Sequence, residues 1–200
     1  MKFGTKIIHS GLQTDQKPTG AVITPIYQTS TYIQKSPGKN LGYEYSRSAN
    51  PTRKALEKNI SSLENGKYGF CFASGMAAID AILRLLKPGD EIICSNDIYG
   101  GTFRLFNQIY APQNFKFIFS DLQSVKELNK LCNSSTKMIW IETPSNPMMN
   151  IIDIQKITDF AKKNKILTIV DNTFASPYLQ SPLDLGADIV THSATKYLGG

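Results

Sequence analysis

From residue 67 onward, short apolar runs alternate with amphipathic stretches, and few folds satisfy that alternation. The runs 67–73, 91–96, 115–120, 137–143, 167–173 and 188–195 read as buried strands. Between them, 75–86, 101–110, 124–132, 153–164 and a short stretch near 182–186 read as helices. A strand–helix repeat of this kind builds an α/β fold, a mainly parallel sheet with helices on both faces. Residues 1–60 differ. They are rich in Thr, Ser, Tyr, Gly and Pro, with turn signals at Pro18-Thr19-Gly20, Pro25 and Ser36-Pro37-Gly38. Their periodicity is weak, so they read as an extended arm leading into the first helix. That helix starts at Asn50-Pro51, a good cap followed by a first-turn proline, and carries Leu56, Ile60 and Leu63 before Gly66 stops it. The expected organisation is an arm and helix start over 1–60 and a ligand-binding large domain over 61–200.

Charge and composition narrow the function classes. The chain has 22 Lys+Arg against 16 Asp+Glu, a net charge of +6. Only Arg47, Arg53, Arg84 and Arg104 are arginines, and the lysines are scattered, so no nucleic-acid-binding stripe forms. A mild positive field suits small anionic ligands. No apolar run approaches the ~18–20 residues of a membrane helix, and the opening MKFGTKIIHSG lacks a secretory core. Cys71, Cys94 and Cys132 form no CxxC pair, and His9 and His192 are the only histidines, so no metal site is expected. The expectation is a cytoplasmic protein with neither a membrane nor a nucleic-acid partner.

In an open parallel sheet, ligands bind beyond the carboxyl ends of the strands. Five strand ends here carry polar or glycine-rich residues. Ser74-Gly75-Met76 opens a helix, and its free N–H groups could seat a phosphate, although a plain helix cap explains that pair equally well. Tyr99 precedes Gly100-Gly101 and could lie on a planar ring. Glu142 opens a segment through Asn146. Asp171 closes an apolar strand, where an unpaired carboxylate is costly. Lys196 follows the last strand, flanked by Ser193 and Thr195. An amine nucleophile, a buried acid and an anion seat along one edge suggest pyridoxal 5'-phosphate: the lysine to form the imine, the aspartate to keep the ring nitrogen protonated.

The segments YEYSRSANPTR (43–53), ASGMAA (73–78), DIYGGTFRLF (97–106), ETPSNP (142–147), VDNTFASPYLQSPLDLGADIV (170–190) and HSATKYLGG (192–200) make the reading specific. Together they resemble the Cys/Met-metabolism pyridoxal-phosphate enzymes, which include cystathionine γ-synthase, cystathionine γ-lyase and methionine γ-lyase. The resemblance implies the large domain of a fold-type-I pyridoxal-phosphate enzyme. It implies Lys196 as Schiff-base lysine and proton shuttle, Asp171 on the pyridinium nitrogen and Tyr99 on the ring. Gly75, Met76, Ser193 and Thr195 would contact the phosphate, and Asn146 would lie near the ring hydroxyl and the substrate carboxylate. Tyr45 and Arg47 would reach the phosphate of a neighbouring subunit's cofactor, which makes the expected assembly a homo-oligomer, dimers pairing into tetramers.

The implied activity is γ-elimination or γ-replacement on a sulfur amino acid or an activated homoserine, as in a cystathionine γ-synthase or γ-lyase. Methionine γ-lyase and O-acetylhomoserine sulfhydrylase are the alternatives; Gly101 stands where methionine γ-lyases have cysteine, which disfavours the former. The resemblance also leads one to expect a longer protein. The family's next strand would lie between the first and sixth, and a smaller C-terminal domain would bring an arginine for the substrate's α-carboxylate. A non-catalytic fragment of a split gene is the competing expectation.

Overall fold

A computed structural model describes residues 1–12 and 19–199. Pro18, part of the first turn signal, and Gly200, at the end of the last motif, lie outside the described residues. The chain divides into two compact units, 1–71 and 72–200.

In the first unit, α1 (Phe3–His9) stands where an irregular arm is expected. It buries none of its own residues, and a distant side chain holds it instead. Asn59 Nδ2 donates to the carbonyls of Lys6, Ile7 and Ser10 at 3.3, 3.1 and 3.0 Å, which satisfies the open end of α1. Pro37-Gly38 turns the chain between β1 (Gln34–Ser36) and β2 (Lys39–Asn40). The helix α2 (Pro51–Leu63) begins where its sequence signals put it. Asn50 Oδ1 accepts from the N–H groups of Thr52 and Arg53 at 2.9 and 3.3 Å.

The second unit is built on five parallel strands: β3 (Glu91–Ser95), β4 (Lys116–Ser120), β5 (Thr136–Glu142), β6 (Leu167–Asp171) and β7 (Ile189–Thr191). Their order is β4-β3-β5-β6-β7. Alternate residues face opposite sides, so the sheet carries two apolar layers. Ile93, Ile139, Ile141 and Val170 pack with Leu128 of α5 (Val125–Leu131) and with Ile154, Ile157 and Phe160 of α6 (Ile154–Asn164). Ile92, Cys94, Met138, Trp140 and Ile169 pack with Ile79 and Leu83 of α3 (Gly75–Leu83) and with Phe106. Helices therefore cover both faces, as the strand–helix alternation requires.

Four local expectations need correction. The run 67–73 forms no strand among the described residues, and its aromatic face is open: Tyr68, Phe70 and Phe72 are 70%, 75% and 49% exposed. Alternation gives such a segment two faces, but a strand also needs a neighbour's N–H and C=O groups, and among the described residues no strand is paired with it. The stretch 182–186 forms overlapping turns instead of a helix, while α7 (Ser176–Leu179) forms just before it. The helix expected over 101–110 is α4 (Gly100–Arg104), which widens into a π-helical segment over Leu105–Tyr110. The strand expected over 188–195 is reduced to β7, Ile189–Thr191, and turns lead from it to Lys196, while the remaining strands and helices differ from their sequence ranges only at their ends.

Because the sheet core is closed on both sides, truncating it leaves a cavity. Ile139→Ala is expected to cost about 3 kcal/mol of unfolding free energy. Removing the α6 cap with Asp153→Ala, which loses the bond from the Lys156 N–H, costs about 1 kcal/mol. Urea denaturation of both variants checks the ranking, and equal losses would contradict the two-layer core.

Candidate active site

The site is assembled from strand ends. In the parallel ladders Glu142 is the register partner of Asp171, and Asp171 of Thr191. Register partners in parallel strands present their side chains to the same face, here the one that Trp140 and Ile169 share with α3. Two carboxyl groups therefore sit side by side at the ends of β5 and β6, Glu142 4% and Asp171 8% exposed.

Asp171 is held by the turn that follows it. Its Oδ1 accepts from the Thr173 N–H at 3.1 Å and from Thr173 Oγ1 at 2.6 Å. Thr173 Oγ1 in turn accepts from the Ser193 N–H at 2.9 Å. Lys196 Nζ donates to Ser193 Oγ at 3.3 Å and to Thr195 Oγ1 at 3.4 Å. Thr173 and Ser193 thus link the aspartate to the lysine, through the main-chain N–H of Ser193 on one side and its hydroxyl on the other. Burial pushes the Asp171 carboxyl up from its ordinary value, while the Thr173 hydrogen bonds and the charges of His192 and Lys196 pull it back.

The N-terminus of α3 meets the same corner. Ser74 Oγ caps the helix by accepting from the Ala77 N–H at 3.1 Å. Gly75 is packed so closely that a Cβ there would lie 3.1 Å from Ser193 Cβ and 3.2 Å from Ser193 Oγ. Glycine lets the main chain at the start of this nine-residue helix approach the hydroxyl side chains beside Lys196. Tyr99 lies at the end of β3 with its ring over Gly101, where a Cβ would come within 2.3 Å of Tyr99 Cε1 and 3.0 Å of Met76 Sδ. Gly75, Met76, Tyr99, Asp171, Ser193, Thr195 and Lys196 are thus linked within one unit. Asn146 is exposed in the loop after β5, and its main chain lies close enough to Glu142 to favour that carboxyl's charged form. Tyr45 and Arg47 belong to the first unit, where the Arg47 guanidinium stands 4.9 Å from the Tyr45 ring centroid.

These residues fit pyridoxal phosphate. The corner combines a lysine amine, an aspartate, two hydroxyls and a helix start whose glycine leaves room for close approach. A separate cleft of about 390 Å³, between the ends of β3, β4 and β5, is lined by Asp97, Asp121 and Glu142, the wrong charge for a phosphate ester. Among the described residues, no cluster of His, Cys, Asp and Glu could hold a metal ion, and no helix is long and apolar enough to cross a membrane.

The family model described as Cys/Met metabolism PLP-dependent enzyme matches residues 4–200. The chain belongs to this family. Pyridoxal phosphate (PLP) is accordingly its cofactor. The chain is similar to a cystathionine beta-lyase of Coxiella burnetii, 52% identical over 197 residues, or 98% of this chain and 51% of that protein. It is similar to a cystathionine gamma-lyase of Bacillus subtilis, 52% identical over 100% of this chain and 52% of the other. The crystal structure of cystathionine gamma-lyase from Lactobacillus plantarum complexed with L-serine superposes with a TM-score of 0.96 at 48% identity, covering 100% of this chain and 52% of that one. The chain spans about half the length of the relatives it matches.

Sequence reasoning passed over two residues. Thr173 carries the polar path between Asp171 and Ser193, and nothing in a strand-end Asp-Asn-Thr singles out the threonine. Glu142 was visible as a carboxylate closing an apolar strand, the same signal that marked Asp171, but no role was assigned to it. Burial, followed by the neighbouring charges of Asp171 and Asp97, pushes the Glu142 carboxyl up to about 7 against the bonds from Tyr99 and Asn146.

A carboxyl raised on folding binds its proton more tightly in the folded state. Its contribution is full below its ordinary value of 4.5 and is lost as pH rises to about 7. In cofactor-free protein, the unfolding free energy of the wild type should therefore fall relative to Glu142→Gln by roughly 3 kcal/mol across that window. Urea denaturation at a series of pH values measures the difference, and a flat difference would contradict the assignment.

Proposed function

We propose that these residues form the cofactor site of a cytoplasmic homo-oligomeric enzyme that uses pyridoxal phosphate for γ-elimination or γ-replacement on a sulfur amino acid or activated homoserine. The observation that carries the reading is the path Asp171–Thr173–Ser193–Lys196, with an acid at one end and an amine at the other. When bound, pyridoxal phosphate supplies an aldehyde for an amine and a protonated ring that draws electrons from the bond being broken.

Lys196 would hold the cofactor, and its amine, when free, would remove the substrate's Cα proton and return protons during bond cleavage. Ser193 and Thr195, which accept its Nζ hydrogen bonds, orient the amine and offer hydroxyls to the phosphate. The main chain at Gly75 and Met76 provides N–H groups at the positive end of α3. Asp171 supplies the counter-charge for the ring nitrogen, with Thr173 fixing one of its oxygens. Tyr99 covers a ring face and excludes water there. Asn146 orients the ring hydroxyl and the substrate carboxylate, and Tyr45 with Arg47 would complete the phosphate site of a neighbouring subunit.

The relatives named cystathionine beta-lyase favour a second reading, in which the Cβ–S bond breaks instead of the Cγ–S bond. Both begin with the same proton removal, so Lys196 serves either. The products differ: γ-cleavage of cystathionine yields cysteine, 2-oxobutyrate and ammonia, and β-cleavage yields homocysteine, pyruvate and ammonia.

Purified protein mixed with pyridoxal phosphate should develop a visible absorbance band that is absent in Lys196→Ala. Incubation with cystathionine should release one of the two 2-oxoacids, whose identity selects the reading. Asp171→Asn, which keeps the shape and removes the charge, should lower the rate about a hundredfold. A cooperatively folded protein with neither the band nor a 2-oxoacid would refute the proposal.

A further inference from the structure

The loops after β3 and β5 carry Tyr99 and Asn146, and both loops leave the sheet with main-chain N–H groups that the ladders no longer satisfy. Glu142, the last residue of β5, meets both needs. The Tyr99 N–H donates to Glu142 Oε2 at 2.6 Å, and the Asn146 main chain lies close enough to the same carboxyl group to favour its charged form. The Glu142 main chain is itself held from the next strand, where its N–H donates to Ser95 Oγ at 3.0 Å.

We propose that Glu142 is a positioning residue: one carboxyl group grips the main chains of Tyr99 and Asn146 and so sets where both side chains stand toward the bound ring. The inference rests on the proposed function for the identity of that ring, while the grip itself is a property of the protein without ligand. Ionised, above pH about 7, the Glu142 carboxyl group has two acceptor oxygens and no donor, which suits N–H groups that arrive from two different loops. Charge assistance makes such bonds stronger than neutral ones. No other side chain of similar length presents two acceptors. Gln would satisfy one N–H and turn an amide donor toward the other.

The loops have a second tie that does not involve Glu142. Asp97 Oδ2 accepts from Ser145 Oγ and from Asn150 Nδ2, which joins the β3 loop to the β5 loop at a different point. Loss of the Glu142 carboxyl should therefore free Tyr99 and Asn146 while leaving the two loops attached and the sheet folded.

Amide hydrogen exchange on the cofactor-free protein tests the grip. In Glu142→Ala, exchange at the Tyr99 and Asn146 amides should accelerate on the order of tenfold or more, with the β3 amides of Ile92–Cys94 unchanged. In the isosteric Glu142→Gln, one of the two amides should keep its protection. With pyridoxal phosphate bound, the visible circular dichroism per unit absorbance should drop in Glu142→Ala and recover in part in Glu142→Gln. A merely structural role would lower stability in both variants and leave the amide pattern and the normalised dichroism as in the wild type, and that result overturns the proposal. Failure of the wild type to develop a visible band overturns the proposed function instead, and the cofactor-free exchange data separate the two failures.

Discussion

Two carboxyl groups are buried side by side where β5 and β6 end, and much of the site follows from how the chain accommodates them. Parallel register puts Glu142 beside Asp171 on one face of the sheet. Buried like charges repel and lose hydration, so each needs donors from its surroundings. Asp171 obtains them from Thr173, whose hydroxyl then accepts from the chain at Ser193, three residues before the lysine. Glu142 obtains one from the Tyr99 N–H, with the Asn146 main chain close by. The demand for donors thus draws the loops after β3, β5 and β7 toward one corner.

The scaffold behind that corner is ordinary packing. Alternate strand residues fill two apolar layers, one under α5 and α6 and the other under α3, with Trp140 and Phe106 meeting edge to face at 5.6 Å. Ordered strands of this kind fix where their last residues stand. Glycine then tunes the surface: at Gly75 the missing Cβ lets α3 abut Ser193, and at Gly101 it makes room for the Tyr99 ring. The acidic cleft beside the site lies between β3 and β5, whose outgoing connections pack on opposite faces of the sheet.

Much of this was legible in the residues. Strands buried on both faces are continuous apolar runs, so β3 to β7 stand out, and their polar ends mark the ligand edge. Asp171 is conspicuous because a charge closing an apolar strand is unusual, and Lys196 because it stands among hydroxyl residues beyond the last apolar run. The segment 67–73 misled because its alternation matches a strand while strand formation depends on a pairing partner. The helix α1 was hidden because Asn59, about fifty positions away, satisfies its last carbonyls. Thr173 was hidden because its importance lies in a bond to a backbone N–H twenty residues on. The bond that the enzyme would cleave was not legible either: relatives named beta-lyase and gamma-lyase match this stretch equally well, at 52% identity.

The order of residues by itself determined the parallel α/β architecture, the family and the residue types offered to a cofactor, because apolar periodicity and short motifs are local properties. The tertiary structure decided which of those residues share a corner and which carboxyl group answers which donor. Hydrogen-bond partners from separate strands are chosen by register and by the path of the loops. Neither quantity is written in any one segment; both arise only when the strands lie side by side.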